Sequence, residues 1–161
     1  MPTEKPGLRT GKKIVAVNRQ ARRDYDIEET CEAGLVLKGT EVKSIRAGRA
    51  NMGDAFARVE NGEVWLHNMH VSEYAQGNRY NMEPRRSRKL LLHRSEIMRL
   101  LGKTQTKGLT LVPLDLFFQN GYAKITIGLG RGRREFEKRD AIMDREQKRD
   151  IDRALASRRR D

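Results

Sequence analysis

Residues 109–129, LTLVPLDLFFQNGYAKITIGL, decide the fold. At their centre, Asn120-Gly121 is a two-residue hairpin signal, because a type I′ turn needs positive φ at both central positions. After it, Ile125, Ile127 and Leu129 alternate with Lys124, Thr126 and Gly128, the period of two of a half-buried strand. Before it, 109–119 is strongly apolar and reads as the partner strand. The same signal recurs upstream, where Asn61-Gly62 separates Phe56–Glu60 from Glu63–His67. Tyr25–Lys38 reads as a further strand with a bulge at Gly34. Three short helices intervene. Asn18 caps a basic helix through Arg23. Thr40 opens a second, with Val42 and Ile45 inward and Gly48 at C′. Ser95 opens a third, with Ile97, Leu100 and Leu101 inward and Gly102 closing it. Residues 76–88 are polar, with Gly and Pro, and read as a long loop. About six short strands with tight turns and three small helices describe one antiparallel barrel or sandwich.

The 161 residues suffice for that one domain and a tail. Charge is distributed in blocks. Of a formal net charge of +12, residues 1–24 hold +5, 25–84 hold −4, 85–107 hold +7 and 131–161 hold +4. Three basic blocks around an acidic middle suit a polyanion touched at several separate places. No apolar run approaches the roughly 20 residues of a membrane span, and the IVAV stretch at 14–17 is too short for a signal core. The expected setting is the cytoplasm. A single cysteine, Cys31, excludes an internal disulfide and a multi-cysteine zinc site, and reads as a packing residue.

Catalytic and metal chemistry find little support. His67 and His70 are three apart, so in one strand they face opposite ways, and His93 lies far along the chain. Glu41, Asp54 and Glu63 are scattered and show no sign of a working carboxylate pair. The string GLGRG at 128–132 lacks the spacing and the βαβ context of a dinucleotide loop; its glycines read as a strand end lying close to other backbone. Trp65, Phe117 and Phe118 fall in strand patterns and read mostly as core. Phe136, in GRREFEKR, is surrounded by charge and is a candidate for stacking on a base. Helix formers over 140–160 carry only a thin apolar stripe (Ile142, Met143, Ile151, Leu155), too little to hold an isolated helix.

The runs AVNRQARRDYDIEETCEAGLVLKGTEVKSIRAG, RSRKLLLHRSEI and GLGRGRREFEKR resemble the SsrA-binding protein family, which partners transfer-messenger RNA (tmRNA) in ribosome rescue. The resemblance covers about residues 14–145, and EAG-x-x-L-x-G-x-EVKS-x-R is its most specific part. It implies a mainly β, OB-like barrel at 14–130, a flexible basic arm at 1–13, and a basic tail at 131–161. The barrel would hold the tRNA-like domain of the RNA. The tail, disordered when free and helical on the ribosome, would enter the empty mRNA channel at the small-subunit decoding centre. Site residues implied for the body are Asn18, Glu32, Leu91 and Lys124, expected on one face, with Arg19, Arg22 and Lys89 as further RNA-binding residues. Those implied for the tail are Gly132, Arg133, Arg134, Phe136, Lys138 and Arg139. The tail departs from the family pattern by Lys to Arg twice and Asp to Glu, and has Gln147 where some relatives carry tryptophan. Glu32 is expected to accept hydrogen bonds from base amino groups or 2′-hydroxyls, or to orient Arg22 or Arg23. No cofactor, metal, small-molecule substrate or catalytic residue is implied, and the expected state is a monomer. The alternative is a generic OB-type single-strand or translation-factor protein, with an RNA enzyme as a third class.

Overall fold

A computed structural model of the chain describes residues 11–77, 81–133 and 135–158, with side chains in the last segment from 142 onward. The elements run β1 (Lys13–Val17), α1 (Arg19–Asp24), β2 (Tyr25–Leu35), α2 (Gly39–Arg46), β3 (Ala50–Asn51), β4 (Phe56–Glu60), β5 (Glu63–His67), β6 (His70–Val71), β7 (Arg88–Leu91), α3 (Arg94–Lys107), β8 (Thr110–Gln119), β9 (Tyr122–Gly132) and α4 (Glu135–Arg158). Every pairing is antiparallel. In the order β8-β4-β5-β7-β2-β9, with β9 returning to β8, six strands close into a ring, and β1 lies along the second half of β8. The barrel is thus OB-like, as expected. Its weakest seam is β4–β8, joined only at Ala57↔Leu111. β3 and β6 form a separate two-stranded sheet.

Both Asn-Gly pairs make the turns their chemistry requires, with φ of 50° and 77° at Asn61 and Gly62, and 51° and 81° at Asn120 and Gly121. Side chains facing the barrel axis form the main core, including Leu66, Leu90, Leu111, Leu116, Ile125, Ile127 and Leu129. A second small cluster lies outside the barrel. There Ala21 of α1 covers Val112 and Leu114, with Tyr25 and Ile27 packed alongside. A bulge between Ile27 and Glu29 turns Ile27 to that outer side. The bulge expected at Gly34 is therefore displaced; Gly34 instead lets Leu91 pack close, since a Cβ there would sit 3.2 Å from Leu91 Cβ. Gly128 and Gly130 make room for the second cluster: a Cβ on Gly128 would lie 2.9 Å from Leu114 Cδ1, and one on Gly130 would lie 2.7 Å from the Asp26 carbonyl. Of the three glycines of 128–132, Gly132 ends the strand and these two do not. β9 continues to Gly132, two residues past Gly130.

Other element bounds also differ. β1 and β7 were not expected, because each is a short run whose partner strands are distant in sequence. β2 stops at Leu35 rather than Lys38. α2 begins one residue before Thr40, with the Lys38 N–H donating to Glu41 Oε1 at 2.9 Å in place of a Thr40 cap. α3 passes straight through Gly102 and stops at Gly108, which adopts φ 64°. It persists because Arg99 and Lys103 both reach back to Glu29 on β2, giving the second half of the helix a tertiary anchor.

Candidate nucleic-acid interface

In an antiparallel sheet, directly opposed residues project to the same side and neighbours along a strand alternate. The register therefore sorts the expected site residues. On β2, Ala33 and Leu35 point into the core, so Glu32, Gly34 and Val36 face out. Gly34 opposes Leu91 on β7 and Lys124 on β9. Glu32 opposes Thr126, which in turn opposes Asp115 on β8. Glu32, Leu91 and Lys124 consequently share one outward face, and Gly34 leaves the gap between Leu91 and Lys124 free of side chain. Leu91 is 54% exposed, far more than an apolar residue in a sheet normally shows.

Arg22 on α1 reaches the edge of this face, with its Nη2 at 3.5 Å from Asp115 Oδ2. Arg19 is exposed on the same helix. Glu32 does not orient Arg22 or Arg23; its partner is Lys12, whose Nζ is 3.3 Å from Oε1, while Arg23 lies 3.7 Å from Asp24. Lys12 also sits 4.2 Å above the ring of buried Phe117. Lys89 contacts Glu63 at 3.1 Å. Lys124 is half-buried and makes no ion pair among the described residues. Glu32, Asp115 and Glu63 are thus each paired with a cation, while Lys124 has no such pair among the described residues.

Asn18 belongs to the interior. Its Oδ1 accepts from the Ala21 N–H at 3.1 Å, which caps α1 as expected. Its Nδ2 donates to the carbonyls of Met52 at 3.0 Å and Pro113 at 2.9 Å, and its own N–H donates to the Leu114 carbonyl at 2.7 Å. Asn18 therefore pins the start of α1 to β8 and to the loop before β4. It sets where Arg19 and Arg22 stand rather than presenting a group of its own.

The model of the SmpB protein family matches residues 15–157 of this chain. The chain belongs to the SmpB family. The SsrA-binding protein of Halalkalibacterium halodurans is 60% identical over 148 residues, covering 92% of this chain and 96% of that protein. That of Carboxydothermus hydrogenoformans is 60% identical over 146 residues, covering 91% and 98%. A solved chain described under "tmRNA-SmpB: a journey to the center of the bacterial ribosome" is 52% identical and superposes with a TM-score of 0.64, covering 79% of this chain and 93% of its own.

Beside this sheet face, a buried charge cluster holds residues 84–88. Glu41 accepts from Arg86 and from Arg88 Nε, the latter at 2.6 Å; Arg88 is wholly buried. Burial alone would push the Glu41 carboxyl up, but the hydrogen bonds from Arg86, the Lys38 N–H and Arg88 outweigh it and hold the group below the usual carboxylate range. With Glu41 consumed inside, the charged side chains that α2 and the turn after it expose are the cations Lys43, Arg46 and Arg49.

The remaining candidates resolve simply. Burial, with the Glu96 charge, raises the Cys31 thiol, as suits a residue packed on the core. His67 and His70 stand on different strands, and the His67 ring is held by Ser87 Oγ at 2.8 Å and Glu60 Oε1 at 2.9 Å. Among the described residues no group of His, Cys, Asp and Glu is placed to hold a metal, and no helix is long and apolar enough to cross a membrane. Phe117 and Phe118 are buried as expected, but Trp65 is only half-buried and faces outward. In the tail, Gly132 ends β9 and the Arg133 N–H donates to the Asp24 carbonyl at 2.8 Å. Arg134, and the side chains of Phe136, Lys138 and Arg139, lie outside the described residues.

Proposed function

We propose that this chain binds the tRNA-like domain of tmRNA through the face carrying Glu32, Leu91 and Lys124, with Arg19 and Arg22 at its edge, and delivers that RNA to stalled ribosomes for trans-translation. The observation that carries this is the cross-strand row Leu91–Gly34–Lys124, which sets an exposed apolar side chain and an unpaired cation on either side of a bare backbone. A folded RNA elbow read by shape and backbone suits a surface of this kind. Glu32, exposed beside Lys12, is free on one side to accept from a 2′-hydroxyl or a base amino group. The chain acts as a binding factor without catalytic turnover, and its place of action, at the ribosome, is the cytoplasm.

The tail probes the empty mRNA channel. Every described side chain from Ile142 to Arg158 is exposed, which leaves the cations of this part of α4 available to rRNA phosphates.

Competition tests the reading. A transcript of the tRNA-like domain should displace an equal length of single-stranded DNA by a wide margin. Lys124→Ala should weaken binding and lower the slope of log K against log salt by about one. Equal affinity for both nucleic acids would return the chain to a generic single-strand binder, and an unchanged slope would remove Lys124 from the phosphate contacts.

A further inference from the structure

One pleat away from the Leu91–Gly34–Lys124 row, a second outward row crosses four strands. Arg58 on β4 opposes Trp65 on β5, and Trp65 opposes Lys89 on β7. Lys89 is bridged in turn to Val36, just past β2, whose N–H donates to the Lys89 carbonyl at 3.1 Å. The side chains between these rows, Val64, Leu90 and Leu35, all point into the core, which fixes this second row outward. Val36 is 41% exposed, and Tyr122, two residues from Lys124 on the same side of β9, is 73% exposed. Tyr122, Leu91, Val36 and Trp65 thus line the outer wall of the barrel with apolar and aromatic surface left accessible by the described residues. Surface of that kind, contiguous and edged by charge, marks a contact site.

The character of the edge selects the partner. Trp65 stands between two cations, Arg58 and Lys89, as its direct cross-strand neighbours. The nearest acids are engaged: Glu63 with Lys89 at 3.1 Å, and Glu60 with His67 at 2.9 Å and, more loosely, with Arg58 itself at 3.9 Å. The strip also continues without a break into the face proposed above for RNA, since Lys89 is two residues from Leu91 and Val36 two from Gly34. A half-buried indole flanked by cations on a sheet is the arrangement on which single-stranded nucleic acids stack, ring under base and cation under phosphate.

We propose that the strip Arg58–Trp65–Lys89–Val36 is an extension of the RNA surface, on which Trp65 stacks against an unpaired base of the same RNA that Leu91 and Lys124 hold. Lys89 and Arg58 take the phosphates on either side, and Lys89 exchanges its contact with Glu63 for one of them. This inference rests on the RNA reading above and adds a base-stacking subsite to it.

Trp65 is the only tryptophan in the chain, so its emission reports on this subsite alone. The full chain is titrated with an end-labelled transcript of the tRNA-like domain, following label anisotropy and tryptophan emission together. The expected result is quenching with the same midpoint as the anisotropy change. Trp65→Ala should weaken binding by about 5- to 150-fold, and Trp65→Phe, which keeps a ring, by much less. Glu63→Gln, which frees Lys89, should tighten binding. Saturating anisotropy with unchanged tryptophan emission overturns the proposal while leaving the RNA reading intact. The wild-type titration decides this even if Trp65→Ala does not fold. Absence of any anisotropy change overturns the RNA reading, and the subsite with it.

Discussion

Replacing Arg88 by methionine isolates the contribution of the buried cluster that holds residues 84–88. The guanidinium donates to Glu41 Oε2 at 2.6 Å, to the Met69 carbonyl at 2.7 Å, and to the carbonyls of Arg86 and Pro84 at 3.1 Å each. Methionine keeps most of the stem volume, so little of the effect comes from a cavity. What is lost is one side of a buried ion pair, and removing one partner of such a pair costs about 3–5 kcal/mol. Arg86 remains on Glu41, which favours the lower end. The Met69 carbonyl, left without a donor in the interior, restores about 1 kcal/mol to the loss. The sum is close to 4 kcal/mol, a large share of the roughly 5–15 kcal/mol that holds such a domain. Urea unfolding followed by Trp65 emission measures it. With a slope near 2 kcal/mol per molar, the midpoint should fall by about 2 M. Adding Glu41→Leu to Arg88→Met should recover part of the loss, because the uncompensated carboxylate leaves with its partner. A loss under about 1 kcal/mol for Arg88→Met, or a double variant at least as unstable as the sum of the singles, would refute the reasoning.

The same carboxyl gives a pH signature. Since the folded Glu41 titrates below its unfolded value of 4.5, its stabilisation is complete above that pH and disappears as pH falls through the lower folded value; urea midpoints of the native chain and of Glu41→Gln should converge on acidification below about pH 4. Gly130→Ala should destabilise by about 1–3 kcal/mol, because its new Cβ meets the fixed Asp26 carbonyl at 2.7 Å. Gly102→Ala, at an exposed helix position with nothing within 4 Å, should stabilise by about 0.5–1 kcal/mol in the same urea assay. A chain ending at Arg133 should keep the urea midpoint of the full chain and bind the tRNA-like RNA while failing in rescue, whereas a chain ending at Gly130 should be less stable, having lost the Tyr25↔Gly132 and Asp26↔Arg131 pairs.

Much of this protein is legible without coordinates where the deciding physics is local. The two Asn-Gly turns, the alternation over 124–129, the Asn18 cap and the Gly48 helix stop each follow from the conformational preferences of a few neighbouring residues, and each is realised. Glu32, Leu91 and Lys124 entered through family resemblance, since nothing in their own surroundings marks an exposed leucine as a contact. The failures are of one kind. Gly102 reads as a stop because a glycine weakens a helix, yet Arg99 and Lys103 find Glu29 on a strand seventy or more positions away. Gly34 reads as a bulge because a lone glycine in a strand often is one, yet its use is to admit Leu91.

What the tertiary structure alone decides is facing. Register across β9–β2–β7–β5–β4 puts Leu91 and Lys124 on either side of Gly34 and turns Trp65, which reads as core, outward between Arg58 and Lys89. Long-range pairing also removes Glu41 from the surface, so that the charged groups α2 shows the solvent are cations. Sequence specifies which residues alternate; only closure of the ring specifies which half of each alternation is inside. A slip of one residue in a single pairing would exchange the core for the interface.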